Sequence, residues 1–356
     1  MSNPSQSEPI ALLGSTPFAV FLAGLLASEH RRRVTLFAPE LGRKRLPRTV
    51  SFSLGPVTRP ETLRLVADNR AHVLARLGEF GPGLMETDAL RIAAEAPGTA
   101  LGLSHMRHGA AGFGLPARPE PSHQAVAGEI CVFDDCWQIN SSIMDVRARE
   151  WLEKQGVTVV SEESRFALKG DGIVRRDGEA VGPALLVDDA LIAAHAGARS
   201  LSRIATPRSM VTFLCRADRG IARAAFIHLD HGVTVTRAGT GLVQVHAPDD
   251  DGRATERVTT ALGDAEGLRL VGRRKYTDLV THDGAPAIGG LPSSRLSAIT
   301  GLGPLDVALA PTIARHLAGS ASAREDEWAR ARQARRPKGA PAIDDLRPGP
   351  AREEAR

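Results

Sequence analysis

The chain has 356 residues, of which 42% are hydrophobic and 24% charged, proportions that exclude wholesale disorder and leave enough material for two domains. Its formal charge of +4 comes from 45 basic residues set against 41 acidic ones, and the excess is scattered in short runs such as Arg31-Arg32-Arg33. That scatter points away from nucleic-acid binding, and an aromatic content of 4% rules out repeated base stacking.

The opening MSNPSQSEP is polar and has no basic region ahead of the apolar run that follows, so no secretory signal is expected. Cys131, Cys136 and Cys215 form no zinc-type pair and cannot all pair with one another, which fits a reducing, cytoplasmic compartment. The apolar stretch from Ile10 to Leu26 is interrupted by Gly14, Ser15, Thr16 and Pro17. It predicts a strand (Ile10 to Leu13), a turn and a helix (Phe18 to Ser28) rather than a membrane span, and the strand Val34 to Phe37 completes a βαβ unit.

A helix is predicted over Pro60 to Leu77 from apolar residues near helical spacing. Gly78 to Glu129, rich in Gly, Pro and Ala, reads as irregular strands and loops. Asp145 to Gln155 reads as a helix, Val157 to Val160 as a strand, and Ala190 to Ala194 as a second buried strand ending at His195-Ala196-Gly197. The runs Met210 to Cys215, Ala224 to Leu229, Val233 to Arg237 and Leu242 to His246 carry β-formers separated by hairpin signals, and a helix from Thr255 to Leu262 covers them. After Gly319 aliphatic residues almost vanish, and residues 320–356 are expected to be a mobile tail, with at most a helical extension near Glu325 to Ala334.

Three segments carry chemistry. The first turn aligns Gly14, Thr16 and Ala19 with a G-x-G-x-x-G phosphate cradle, in which glycines let the backbone approach a diphosphate at the next helix's N-terminus. Only its first glycine is present, and the acid that would bond a ribose falls at Ala38, with Glu40 two residues on as a substitute. The second segment, Ala184 to Leu201, contains Gly197 and Ser200 in a small-residue turn. In the third, Asp283-Gly284-Ala285-Pro286-Ala287-Ile288-Gly289 precedes a strand, Leu296 to Thr300, and then GLGPLDVALAPTIARHLAG.

In this order and spacing the segments resemble the D-amino-acid-oxidase-like FAD-dependent oxidoreductases over Ile10 to Gly319. The resemblance implies an α/β fold: a Rossmann-like FAD-binding domain, a parallel sheet with helices on both faces, plus a mainly antiparallel β substrate domain. The divisions expected are 8–77, 130–205 and 276–319 for the cofactor and 78–129 and 206–275 for the substrate. It implies FAD contacts at Gly14, Ser15, Thr16, Glu40, Ser51, Ser53, Val160, Gly197, Gly301, Leu302, Gly303, Leu305, Asp306 and Val307. It also implies oxidation of an amine or amino-acid-like small molecule by hydride transfer to the flavin.

The substrate side departs from that pattern. Where relatives place an arginine for the substrate carboxylate, the alignment gives Asp278, with Arg273 or Arg274 available if the register shifts; Tyr276 and His282 are the other pocket candidates. Asp306 stands where glycine is usual. A catalytically silent subunit or binding protein with a partner subunit, or a flavin-dependent hydroxylase, are the alternatives that these departures leave open. No metal is expected, His105 and His108 being the close histidine pair singled out, and no nucleic-acid or membrane partner is expected.

Overall fold

The computed structural model describes residues 9–43, 45–120, 128–161, 166–168, 170–217, 225–262 and 267–335. The chain folds as a mixed α/β structure around two large sheets. In the first, β1 (Ile10–Leu13) lies between β2 (Val34–Phe37) and β9 (Glu179–Leu186), parallel to both. The sheet continues from β2 to β6 (Thr158–Val160), and from β9 to β16 (Ser297–Thr300) and β15 (Ala287–Gly290).

Every residue of β1 is buried, and alternation divides them between two cores. Ile10 and Leu12 join the core on one face, whereas Ala11 and Leu13 join the core on the other. The first face is covered by α1 (Pro17–Ser28), which packs against α4 (Ser141–Lys154) and α8 (Asp306–Ala318). Helix α1 is apolar nearly all round, as a helix with neighbours on every side must be. The second face carries β7 (Phe166–Leu168), β8 (Ile173–Arg176) and the short helices α5 (Asp189–His195) and α6 (Ala198–Leu201).

The second sheet runs β14 (Leu268–Thr281), β10 (Ala205–Ala217), β13 (Leu242–Pro248), β12 (Val233–Gly239), β11 (Phe226–His228), β3 (Met85–Ala94), β5 (Glu129–Ile139) and β4 (Ala117–Glu120), and is mainly antiparallel. Its long strands are β10 and β14, paired from Ala205 against Thr281 to Ala217 against Leu268. Beside them lie β13, β12 and β11, with α7 (Ala254–Leu262) packed on β12 and β13. β3, β5 and β4 complete it.

Several expectations change. Residues 78–129 contain the ten-residue β3 and the 16-residue α3 (Pro97–Gly112). Alanine and glycine dilute the helical signal of α3, whose buried positions are only Leu103, Met106 and Ala110. Ala190 to Ala194 lies in the helix α5, not a strand: Asp188 turns the chain out of the sheet and its carboxylate caps the Ala190 N–H at 3.1 Å. The second sheet also takes in β5 and all of β14.

Residues 320–335 are not a loose tail. Helix α9 (Ala323–Ala331) starts with a capping box between Ser322 and Glu325. Its Trp328 is buried and donates to Thr62 Oγ1 at 2.9 Å on α2 (Pro60–Gly78). The buried Arg332 guanidinium lies 4.5 Å from the Trp328 ring centroid and also reaches Thr62 Oγ1, at 3.0 Å. Residues 336–356, the rest of that expected tail, lie outside the described residues.

Candidate active site

Both turns singled out in the sequence open on one cavity of about 230 Å³, between the two sheets. From the first comes Thr16; from the second come Gly301, Leu302, Gly303, Leu305 and Asp306. A second chamber of about 240 Å³ adjoins it, lined by Ser15, Glu40, Arg45 and Arg274 among others. Thr16, Arg48 and Thr49 line both, so the waist of this two-chambered cleft lies at the start of α1.

The first turn is tight. Gly14 N–H donates to Phe37 O at 3.0 Å, Thr16 Oγ1 caps the Ala19 N–H at 3.2 Å, and Pro17 begins the helix without an N–H of its own. Glu40 is brought back to this turn, its N–H donating to Ser15 Oγ at 3.1 Å. Its carboxylate, however, is held by Arg274 at 2.8 Å, Arg48 at 2.8 Å and Arg45 at 3.0 Å. Burial acts to raise the Glu40 carboxyl, but the Arg274 hydrogen bonds and the charges of Arg48 and Arg274 outweigh it and hold it below its usual range. Arg48 also reaches Asp188 Oδ2 at 2.5 Å and so bridges the two strand ends.

At the other turn Gly301 has φ +74°, and a side chain there would meet Thr281 Cγ2 at 2.6 Å. The segment containing Ser51 and Ser53 packs on this turn through Phe52 N–H to Pro304 O at 2.8 Å. Ser53 Oγ accepts the Trp137 N–H at 3.1 Å and faces β5, away from the main cavity. Asp306 is buried and accepts the Val307 N–H at 2.7 Å, so that amide is already satisfied within the helix. Burial pushes the Asp306 carboxyl up to about 7, against the Ser51 hydroxyl and the Val307 N–H.

The remaining sequence candidates separate. Val160 sits in the core beneath the sheet, its carbonyl accepting the Ala38 N–H at 2.9 Å. Gly197 begins α6 at φ +72° and lines neither chamber. His282 is exposed, with Nε2 3.0 Å from Ser202 O. Tyr276 and Asp278 do line the cavity, on the inward face of β14.

The cross-strand register sets polar partners around that pair. Arg208 on β10 stands opposite Asp278 and binds it at 2.7 Å. Asp189 accepts from Thr300 Oγ1 at 2.6 Å and from Leu279 N–H at 3.0 Å. Burial, then the Asp278 charge, hold the Asp189 carboxyl well above its ordinary value. His246 Nδ1 lies 3.2 Å from Tyr276 Oη and 3.1 Å from Thr212 Oγ1, while its buried Nε2 has no partner among the described residues. Burial lowers His246 to about 4 and raises the Tyr276 phenol, so both are neutral at pH 7.

Sequence reasoning missed Arg48, Asp188, Asp189, Arg208 and His246 in this site. The acids carried a signal: two adjacent carboxylates after the buried run Leu185-Leu186-Val187 do not belong in a continuing buried strand. Arg208 and His246 carried none, because only the strand register brings them to the cavity.

No family model matches the chain. No curated protein matches it either. Solved structures do. L-proline dehydrogenase from P. horikoshii superposes with a TM-score of 0.63 at 14% identity, covering 91% of this chain and 96% of that one. Glycine oxidase from Geobacillus kaustophilus gives 0.63 at 15% identity, covering 89% and 95%. Iminodiacetate oxidase from Chelativorans gives 0.60 at 14% identity, covering 96% and 100%. The likeness spans both sheets, and the fold is the Rossmann-like and antiparallel pairing expected from the sequence.

Proposed function

We propose that this chain is an FAD-dependent oxidoreductase acting on an amine or amino-acid-like small molecule. The observation that carries the reading is the convergence of the α1 turn and the Gly301 to Asp306 turn on one cavity. The layout fits a dinucleotide, since two chambers meet at a helix N-terminus where a diphosphate is favoured. When bound, FAD supplies the acceptor for a hydride leaving the substrate carbon next to nitrogen.

The chain's own residues divide the remaining tasks. Thr16 and Arg48 at the waist, with Ser15 beside them in the second chamber, would hold the diphosphate, and the part of that chamber beside Glu40 would take the adenosine. The turn from Gly301 to Asp306 would face the ring system. Burial pushes the Asp306 carboxyl up to about 7, so at neutral pH it adds less than a full negative charge to that end of the cavity. On the substrate side, Asp278 replaces the carboxylate-binding arginine and already occupies Arg208. Asp278 and Asp189 offer acceptors to a substrate nitrogen, while neutral Tyr276 and His246 form another polar part of the wall.

A second reading, a silent subunit that keeps the fold, is favoured by two observations: Glu40 is fully engaged by arginines, and Asp306 takes the Val307 amide. The visible spectrum of the purified protein separates the two. The enzyme reading expects flavin absorption, either as isolated or after adding FAD, and its loss in Thr49→Trp, which fills the waist, with an unchanged circular dichroism spectrum. A folded protein that stays colourless with FAD in excess supports the silent reading.

A further inference from the structure

Far along the second sheet, β3 and β11 run parallel and in register, Ala93 beside His228, so their C-terminal ends lie side by side. Glu95 follows the first strand; His228 ends the second, and His231 sits in the turn after it. One ligand atom from each residue lies within 4.8 Å of the others. We propose that Glu95, His228 and His231 form a binding site for a divalent cation of the zinc type, separate from the cofactor cleft.

Three observations support it. First, His228 Nδ1 and His231 Nε2 are both buried without a hydrogen-bond partner among the described residues, although His228 is only 1% exposed. Buried imidazole nitrogens are normally satisfied, and a metal ion satisfies both at once. Second, His231 Nε2 and Glu95 Oε2 are 3.6 Å apart, too far for a hydrogen bond. Two donors on one tetrahedral ion, each about 2.0–2.1 Å from it, stand about 3.3–3.4 Å apart, so small rotamer changes suffice. Third, the frame is fixed. Asp230 Oδ2 accepts the Glu95 N–H at 2.6 Å and Asp230 Oδ1 accepts from Thr99 Oγ1 at 2.7 Å, which pins the turn to the start of α3.

Two imidazoles and one carboxylate suit zinc, with water completing the coordination. The sequence reading named His105 and His108, which belong to α3, where His108 Nδ1 is 2.7 Å from Ser104 O of its own helix. His228 and His231 have the same spacing, but their carboxylate comes from residue 95, which no local pattern reveals. The turn they occupy continues into Gly232 and Thr234, which line the main cavity, so the ion would brace one wall of it.

The test is zinc binding by the full-length chain, without a histidine tag and stripped with a chelator, followed by calorimetry and elemental analysis. The proposal expects about one zinc per chain, a raised Tm, and loss of both in His231→Ala and Glu95→Gln. Circular dichroism of these partly exposed variants checks that they still fold. Absence of zinc uptake by the folded wild type, or uptake unchanged in both folded variants, overturns the site. Flavin content enters neither outcome.

Discussion

At Asp306 the group that begins a helix and the group that faces the cavity are the same carboxyl. The sequence suggested a simple cap, and it does accept the Val307 N–H. Burial adds what the sequence could not show, a carboxyl pushed up to about 7. Its unfolded counterpart titrates near about 3.9. Between those values the folded state holds a proton that the unfolded state has released, so the stabilisation by this group is complete below about 4 and lost as pH rises through about 7. Asp306→Asn should therefore flatten the decline in stability between pH 4 and 8, by an amount on the order of a few kcal/mol, in urea unfolding across that range. An unchanged slope would place the titrating group elsewhere. Asp188 and Asp189 make the complementary point: adjacent acids were visible in the sequence, but their place beside Arg48 and Thr300 follows from three strands meeting.

At the scale of elements, legibility tracks periodicity. β1, α1 and β2 were readable because a fully buried strand, a capped apolar helix and a second strand leave strong patterns. β14 has no clear strand pattern in the sequence: it lies at the edge of its sheet and exposes charges such as Arg269 and Arg273, which discourage pairing with other chains. α5 reads as a strand in the sequence because a short apolar run has no distinguishing period. α9 was hidden by its composition: one tryptophan and one arginine attach an otherwise polar helix to α2. Trp328→Ala should destabilise the protein by about 3–5 kcal/mol in chemical denaturation, as for other large buried aromatics. A change below 1 kcal/mol would return this segment to the mobile tail that its composition suggested.

For the whole molecule, the sequence order of three weak motifs carried the fold, since two sheets assembled from interleaved segments need those turns in that order. The site was half legible. Thr16, Gly301 to Gly303, Leu305, Asp306, Tyr276 and Asp278 line the main cavity, whereas Gly14, Ser51, Ser53, Val160, Gly197, His282 and Val307 do not. Glu40 reaches the first turn, but its carboxylate faces arginines drawn from residues as distant as 274, a pairing that only the tertiary fold creates. The account rests on a single nucleotide spanning both chambers. A crystal structure of the chain grown with FAD tests it most directly. The account predicts diphosphate density at Thr16 and Arg48, adenine beside Glu40, and the ring system against Gly301 to Asp306; a cleft that stays empty of FAD, or a ring bound outside it, would contradict it.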